Sequence, residues 1–354
     1  GHPGGTLRER SMTLEPYYYR QMDKAAQAAY HAMKTGITAL RPSFSVPKLD
    51  GPVLSDIFFK LRLDCPEIFY VTGFSYRYAH GAENVELVPE YLFDKKKVQE
   101  HQKALTARVE KLVRPARALV PLEKEQYIHD FLCTNVRYDK LKKPYSHEII
   151  GPLGQGVGVC EGIAKSVKIL CDALGLPCVI AISRENPDQG VKYRHAWNIL
   201  TLPGGRRHLD ATFDLSLSGD GIVRYDYFNL TDEQLFRDHQ PLVYPAPACA
   251  GEDLRYYREA KLSLTRMEDV QKRCQMPLRK GLPFVFHWRG GYLTRQVLLD
   301  LTAMLEQEAV RKGKHAAVSF NWPQAVIQVR FVETLPQAEP RQEEANEGEQ
   351  YPGE

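Results

Sequence analysis

The stretch "GQGVGVCEGIAKSVKILCDALGLPC", Gly154 to Cys178, holds three of the chain's seven cysteines, and only Cys160 is placed to react. Ile163, Val167, Leu170 and Leu174 recur at helical spacing, and Gly175 with Pro177 marks the helix stop. Cys160 therefore opens a helix. Free N–H groups and the positive end of the helix dipole favour the thiolate there, which is the nucleophilic form. Gly154, Gly156 and Gly158 strip side chains from the approach, so a substrate backbone can come close. Cys171 lies inside the helix and Cys178 begins the apolar run "CVIAIS", so both read as core packing. The competing assignment for Cys160 is a buried free thiol, the ordinary fate of a cysteine.

A thiolate needs a base, and the base needs an orienting group. "YRHAWNILTL" and "RRHLDATFDLS" read as two strands joined by a turn around Pro203, Gly204 and Gly205. With an even loop, paired positions sum to an odd number such as 405 or 407, and His195 then shares a sheet face with Asp210. That makes His195 the candidate base and Asp210 its orienter, against a satisfied strand histidine and an ordinary turn carboxylate. Trp197 lies on the same face as His195, where it either walls a substrate groove or packs in the core. His208 shares the face of Asp210, so Cys160, His195 and His208 make a conceivable metal set. No Cys/His cluster has zinc spacing, however, and neither a metal nor a cofactor is expected.

These boxes carry a resemblance. "GVGVCEGIAKSVKILCDALGLPC", then "HAWNI", then "HLDATFD" resemble the ordered Cys, His and Asp boxes of the transglutaminase-like superfamily, with Cys160 and His195 separated by 35 residues and His195 and Asp210 by 15. "VRYDKLKKPYSHEIIGPL" and "YFNLTDEQLFRDH" extend the likeness, to bacterial transglutaminase-domain proteins, over roughly Leu122 to Asp238. The resemblance implies an α+β fold with a papain-like core, a helix bearing the nucleophile packed on an antiparallel sheet that carries His and Asp. It implies acyl transfer: Cys160 attacks an amide carbonyl, His195 shuttles the proton and Asp210 holds the imidazole. Water then releases the acyl group in a peptidase or amidase, the preferred outcome, whereas a lysine-like amine gives a cross-linker. The alternative is a catalytically silent scaffold that binds peptide or cell-wall-type ligands. The Cys160 N–H is the first oxyanion donor, and Gln155 is a candidate for the second, as an upstream Gln is in papain-like enzymes. Tyr145, with Ser146 and His147, either lines a substrate groove or forms a structural turn. Asp139 and Glu161 read as solvated or capping groups.

The surrounding elements must hold this constellation. Residues 11 to about 45 read as helical, "LSDIFFKLRLDCPE" as a short helix, and "EIFYVTGFSYRY" with "VELVPEYLF" as paired strands. Two further helices precede the Cys box, and a small β-α-β-β module follows from "LPFVFHWRG" onward. The expected division is residues 1–10 disordered or a cloning scar, 11–118 an N-terminal α+β domain and 119–250 the catalytic domain. Residues 251–333 form the C-terminal α+β module, and 334–354 an acidic disordered tail. The stretch from Glu333 to Glu354 holds seven Glu and one Arg; its net −6 against a total of +3 leaves +9 on the remainder. The basic excess is scattered over helix faces, so no nucleic-acid partner is expected. No apolar run approaches the roughly 18 residues of a membrane helix. Seven cysteines without a CxxC pair fit free thiols in the cytoplasm, although a removed signal or anchor segment would make the protein extracellular. A peptide or protein substrate is the expected partner; the oligomeric state is not legible.

Overall fold

The sequence-predicted nucleophile helix is where the packing of the chain converges. The computed structural model describes residues 16–334 and 339–346. Its first part contains α1 (Tyr17–Arg20), α2 (Lys24–Thr38), β1 (Phe44–Pro47), α3 (Gly51–Asp64), β2 (Val71–Arg77), β3 (Asn84–Tyr91), α4 (Lys95–Val113) and α5 (Pro121–Asn135). The single helix expected from residue 11 to about 45 is broken. Asp23 turns out of α1 and caps α2 by accepting the Ala26 N–H at 2.8 Å. Phe44–Pro47, expected only as a break, is a strand, and the three-stranded sheet runs β1-β3-β2.

The central part contains β4 (Arg137–Tyr138), β5 (Val157–Gly158), α6 (Cys160–Ala173), β6 (Cys178–Ile182), β7 (Ala196–Leu202), β8 (Gly205–Leu209), α7 (Ala211–Leu217), β9 (Phe228–Leu230) and α8 (Asp232–Leu235). The antiparallel sheet β6-β7-β8-β9 carries α6 against it. Leu202 pairs with Gly205 and Asn198 with Leu209, so the loop is even and paired positions sum to 407. Gly204, at φ 96°, supplies the left-handed conformation this two-residue turn requires. The second arm is shorter than the strand read from "RRHLDATFDLS". It stops at Leu209 because the Asp210 carboxylate accepts the Phe213 N–H at 3.0 Å and starts α7.

The last part contains α9 (Tyr256–Glu259), β10 (Ser263–Leu264), α10 (Met267–Lys280), β11 (Phe284–Trp288), α11 (Arg295–Val310), β12 (His315–Asn321), β13 (Val326–Val332) and β14 (Arg341–Gln342). The β-α-β-β unit is there, enlarged by α10 and by edge strands into the order β10-β11-β13-β12-β14.

Apolar packing redraws the expected boundaries. One continuous core runs from Ala29 to Phe228, so residues 11–118 and 119–250 do not enclose separate cores. The C-terminal module does have its own, from Leu264 to Val329. Part of the segment expected as a disordered tail is packed. Arg341 and Gln342 pair in parallel with Ser319 and Phe320, and Glu343 binds the buried Arg224 at 2.7 Å. The expectation for residues 1–10 falls outside the described residues. Among the described residues no helix is long and apolar enough to cross a membrane.

Candidate active site

Cys160 is the first residue of α6, after an extended Val159 that offers no side-chain cap. The helix start is fixed by close approach. A Cβ on Gly162 would lie 2.1 Å from the Ser146 carbonyl oxygen, so only glycine lets this turn seat against the 144–147 turn. Asp139 shapes the chain leading there, accepting from the N–H groups of Leu141 at 3.0 Å and Lys143 at 2.9 Å and from Ser146 Oγ at 2.5 Å. Burial opposes ionisation of Asp139, but these hydrogen bonds hold its carboxyl below the usual range. Behind the first turn, buried Lys165 binds Glu148 at 2.9 Å and Glu161 at 3.0 Å, while Arg62 binds Glu148 at 2.8 Å. Asp139 and Glu161 are therefore fixed structural groups rather than solvated ones.

Strand β7 is fastened to the same helix. Asn198 Nδ2 donates to the Ala164 carbonyl at 2.9 Å and to Cys178 Sγ at 3.4 Å. Cys160 shares an apolar cluster with Ala164, Ile180, Ile182 and Ala196, the residue after His195. Tyr18, Leu63 and Tyr244 close the same cluster, so α1 and α3 wall the site, a role not evident from their sequence. Cys160 and His195 keep 6% and 5% exposure, while Tyr193 and Arg194, just before His195, are exposed.

His195 Nε2 meets Asp210 Oδ2 at 2.7 Å. Trp197 stacks on the imidazole with ring centroids 5.6 Å apart and planes 26° apart, and Phe213 lies 4.8 Å away. Burial alone would raise the Asp210 carboxyl. The charge of His195 and hydrogen bonds from His195 and His239 overcome it and hold the group far below the ordinary carboxylate range. His239 is the residue that sequence reasoning missed. Its Nε2 reaches the same Asp210 oxygen at 2.6 Å, and its Nδ1 reaches Asp238 Oδ1 at 3.0 Å. The only signal was the Asp238–His239 dipeptide at the end of "YFNLTDEQLFRDH".

The remaining candidates separate. Trp197 is only 1% exposed, so it backs His195 rather than facing an open groove; its indole N–H donates to His208 Nδ1 at 2.9 Å. Gln155 is exposed at the end of a π-helical turn and lines a cavity of about 310 Å³ with His101, Arg108 and Phe131. Neither Cys160, His195 nor Asp210 lines that cavity. Tyr145 packs half-buried against the main core. Gly158 is placed by packing, since its Cβ would come 2.6 Å from Pro152.

Among the described residues two clusters gather metal-ligating types, His195–Asp210–His239 and His208–Asp232–Cys249. In the first, nitrogen and oxygen sit 2.6 and 2.7 Å apart, the separation of a shared proton. Two donors on one tetrahedral zinc at about 2.0–2.1 Å would stand roughly 3.3 Å apart. In the second, His208 Nδ1 must accept from Trp197, so Nε2 carries the proton that points at Asp232, 2.7 Å away, and is not a ligand lone pair. Neither geometry fits a metal, and the His208 arrangement does not join Cys160.

Comparison with known proteins agrees with the position of this constellation. Residues 106–211 match the transglutaminase-like superfamily, a segment containing Cys160, His195 and Asp210. No curated protein sequence matches the chain. Among solved structures, a TGase aligns at 14% identity and TM-score 0.27 over 44% of this chain and 47% of that one. A candidate cysteine protease from Cytophaga hutchinsonii aligns at 15% and 0.26 over 43% and 65%. A candidate protease from Parabacteroides distasonis aligns at 14% and 0.25 over 40% and 36%. The chain thus spans less than two thirds of each, and likeness at these scores carries no functional weight. Residues 106–211 are thus the segment in which the chain is similar to the transglutaminase-like superfamily.

Proposed function

We propose that the protein is a cysteine-dependent acyl-transfer enzyme acting on peptide or other amide bonds, with Cys160 as nucleophile, His195 as base and Asp210 as orienter. The observation that carries this is the buried His195–Asp210 pair at the end of the sheet packed against a helix that begins at Cys160.

Asp210 engages Nε2, so Nδ1 is the ring nitrogen that exchanges a proton with the thiol. The Cys160 thiolate adds to the amide carbonyl, and the oxyanion is met by the Cys160 backbone N–H at the helix start. Collapse breaks the C–N bond, and His195 gives its proton to the departing amine. The thioester then passes its acyl group to water, with His195 taking one proton from it and returning it to the thiolate. Asp210 stays ionised throughout, its charge matched to the imidazolium. Water is the acceptor we favour slightly over an amine.

An activated ester tests this without knowledge of the natural substrate. Incubation with p-nitrophenyl acetate is expected to release a burst of p-nitrophenolate and leave an acetyl group on Cys160, read by peptide mass spectrometry. Cys160→Ala abolishes the burst and His195→Ala reduces it by about 10²-fold or more. An unmodified Cys160, or a burst indifferent to His195, would support the silent scaffold instead. Added methylamine separates the two acceptors by whether it captures the acyl group.

A further inference from the structure

Asp210 serves two histidines, and only one of them is explained by acyl transfer. We propose that His239 and Asp238 form a second layer of positioning residues that pins Asp210 and limits how tightly His195 holds its proton. This inference rests on the assignment of Cys160, His195 and Asp210 given above.

The protonation state of His239 follows from its partners. Nε2 faces Asp210 at 2.6 Å and Nδ1 faces Asp238 at 3.0 Å. Ionised carboxylates only accept, so both ring nitrogens donate and the ring is an imidazolium. Burial works against that charge, but the two carboxylates outweigh it and raise the group above its ordinary range. His239 is thus a buried cation whose Nε2 shares the Asp210 Oδ2 atom with His195 Nε2.

Other groups packed around it do not supply this charge. From β8, burial keeps His208 below its usual range. From the stretch before β9, Asp226 is paired with Arg224 at 2.9 Å, and the Tyr227 hydroxyl donates to Asp238. Asp232 on α8 is engaged by His208. The C-terminal module contributes neutral groups: Gln324 Nε2 reaches Asp238 at 3.4 Å, and Asn321 Nδ2 reaches the Tyr227 hydroxyl at 3.2 Å. The module therefore buttresses the second layer, and His239 offsets part of the Asp210 charge that His195 would otherwise receive.

The consequence is directional. Removing the His239 charge leaves Asp210 more negative towards His195, so the His195 imidazolium persists to higher pH. The rate of iodoacetamide alkylation of Cys160, followed against pH by peptide mapping of the full chain, reads this as its alkaline limb. His239→Gln keeps a neutral donor towards Asp210, and Asp238→Asn removes the carboxylate that keeps His239 charged. Both are expected to move the alkaline limb up by about one pH unit while circular dichroism stays native. Agreement between two different substitutions separates the effect from local misfolding. Limbs that coincide with wild type in both variants, with the His195 dependence intact, would overturn the second layer alone. A wild-type Cys160 that reacts like a free thiol would instead overturn the acyl-transfer assignment on which it rests.

Discussion

Two Cys, His and Asp constellations lie four residues apart along α7, and they differ in nearly everything except residue type. One is Cys160, His195 and Asp210. The other is Cys133, His129 and Asp214, where His129 Nε2 meets Asp214 at 2.8 Å and Cys133 Sγ at 3.7 Å. In the first, Asp210 caps a helix and receives three donors, so its charge is secure. In the second, burial raises the Asp214 carboxyl up to about 7, the His129 hydrogen bond opposing and the Asp226 charge adding to the effect. Cys133 lies near the C-terminal end of its own helix, α5, and burial pushes its thiol up. Nearby Glu125 is fully buried and raised to about 8. A catalytic set needs a stabilised thiolate; burial drives Cys133 the other way, and the second set reads as a polar plug in the core.

The largest expected contrast comes from the two bases. His195→Ala should slow Cys160 alkylation at neutral pH by about 10²–10⁴-fold. His129→Ala should leave that rate unchanged but cost about 3–5 kcal/mol in urea unfolding, because Asp214 loses its buried partner. Equal rate losses in the two variants would erase the distinction.

Next come the carboxylates. Asp210→Asn leaves one acceptor oxygen for three donors and should lower the rate by about 10²-fold. Asp214→Asn replaces a carboxyl already inclined to hold its proton, so the alkylation rate should stay within about threefold and stability fall by about 1 kcal/mol.

A pH effect separates the plug from the site. Glu125 has a folded pKa of about 8, above its unfolded value near 4.3, so its stabilising contribution is fully present below about pH 4 and lost as pH rises to about 8. The loss proceeds at about 1.4 kcal/mol per pH unit. Glu125→Gln should flatten the fall of stability between pH 5 and 8 without moving the alkylation profile; an unchanged slope would contradict the assignment.

The smallest effect is expected at Trp197. Trp197→Phe preserves a ring against His195 but loses the N–H to His208, for about 1 kcal/mol of stability and a rate change of only a few fold. A loss as large as that of His195→Ala would make Trp197 part of the chemistry.

Much of the first constellation was legible because its constraints are local. The stripe from Ile163 to Leu174 placed Cys160 at a helix start, and the parity of the turn at Pro203 and Gly204 brought His195 and Asp210 together in either register. Yet Asp210 arrives as a helix cap rather than a strand residue, since a short polar side chain can end a strand as readily as continue it. His239, 44 positions from His195, could not be placed, because no periodicity reports where a loop returns. Gln155 ends a π-helical turn just before the left-handed Gly156, a local shape that its closeness in sequence to Cys160 did not reveal. The helical spacing of Tyr127, Phe131 and Leu132 gave no sign of His129, whose partner sits on another helix.

The contrast between the two cysteines can be measured inside one molecule. Native protein is treated with limiting iodoacetamide from pH 5 to 9, and Cys160 and Cys133 are quantified in the same digest. The expected result is a Cys160 rate that rises to a plateau below pH 7, with Cys133 unlabelled until the chain is unfolded. Equal labelling of both, or a Cys160 that begins to react only near the pKa of a free thiol, about 8.5, would contradict the assignment of Cys160 as nucleophile.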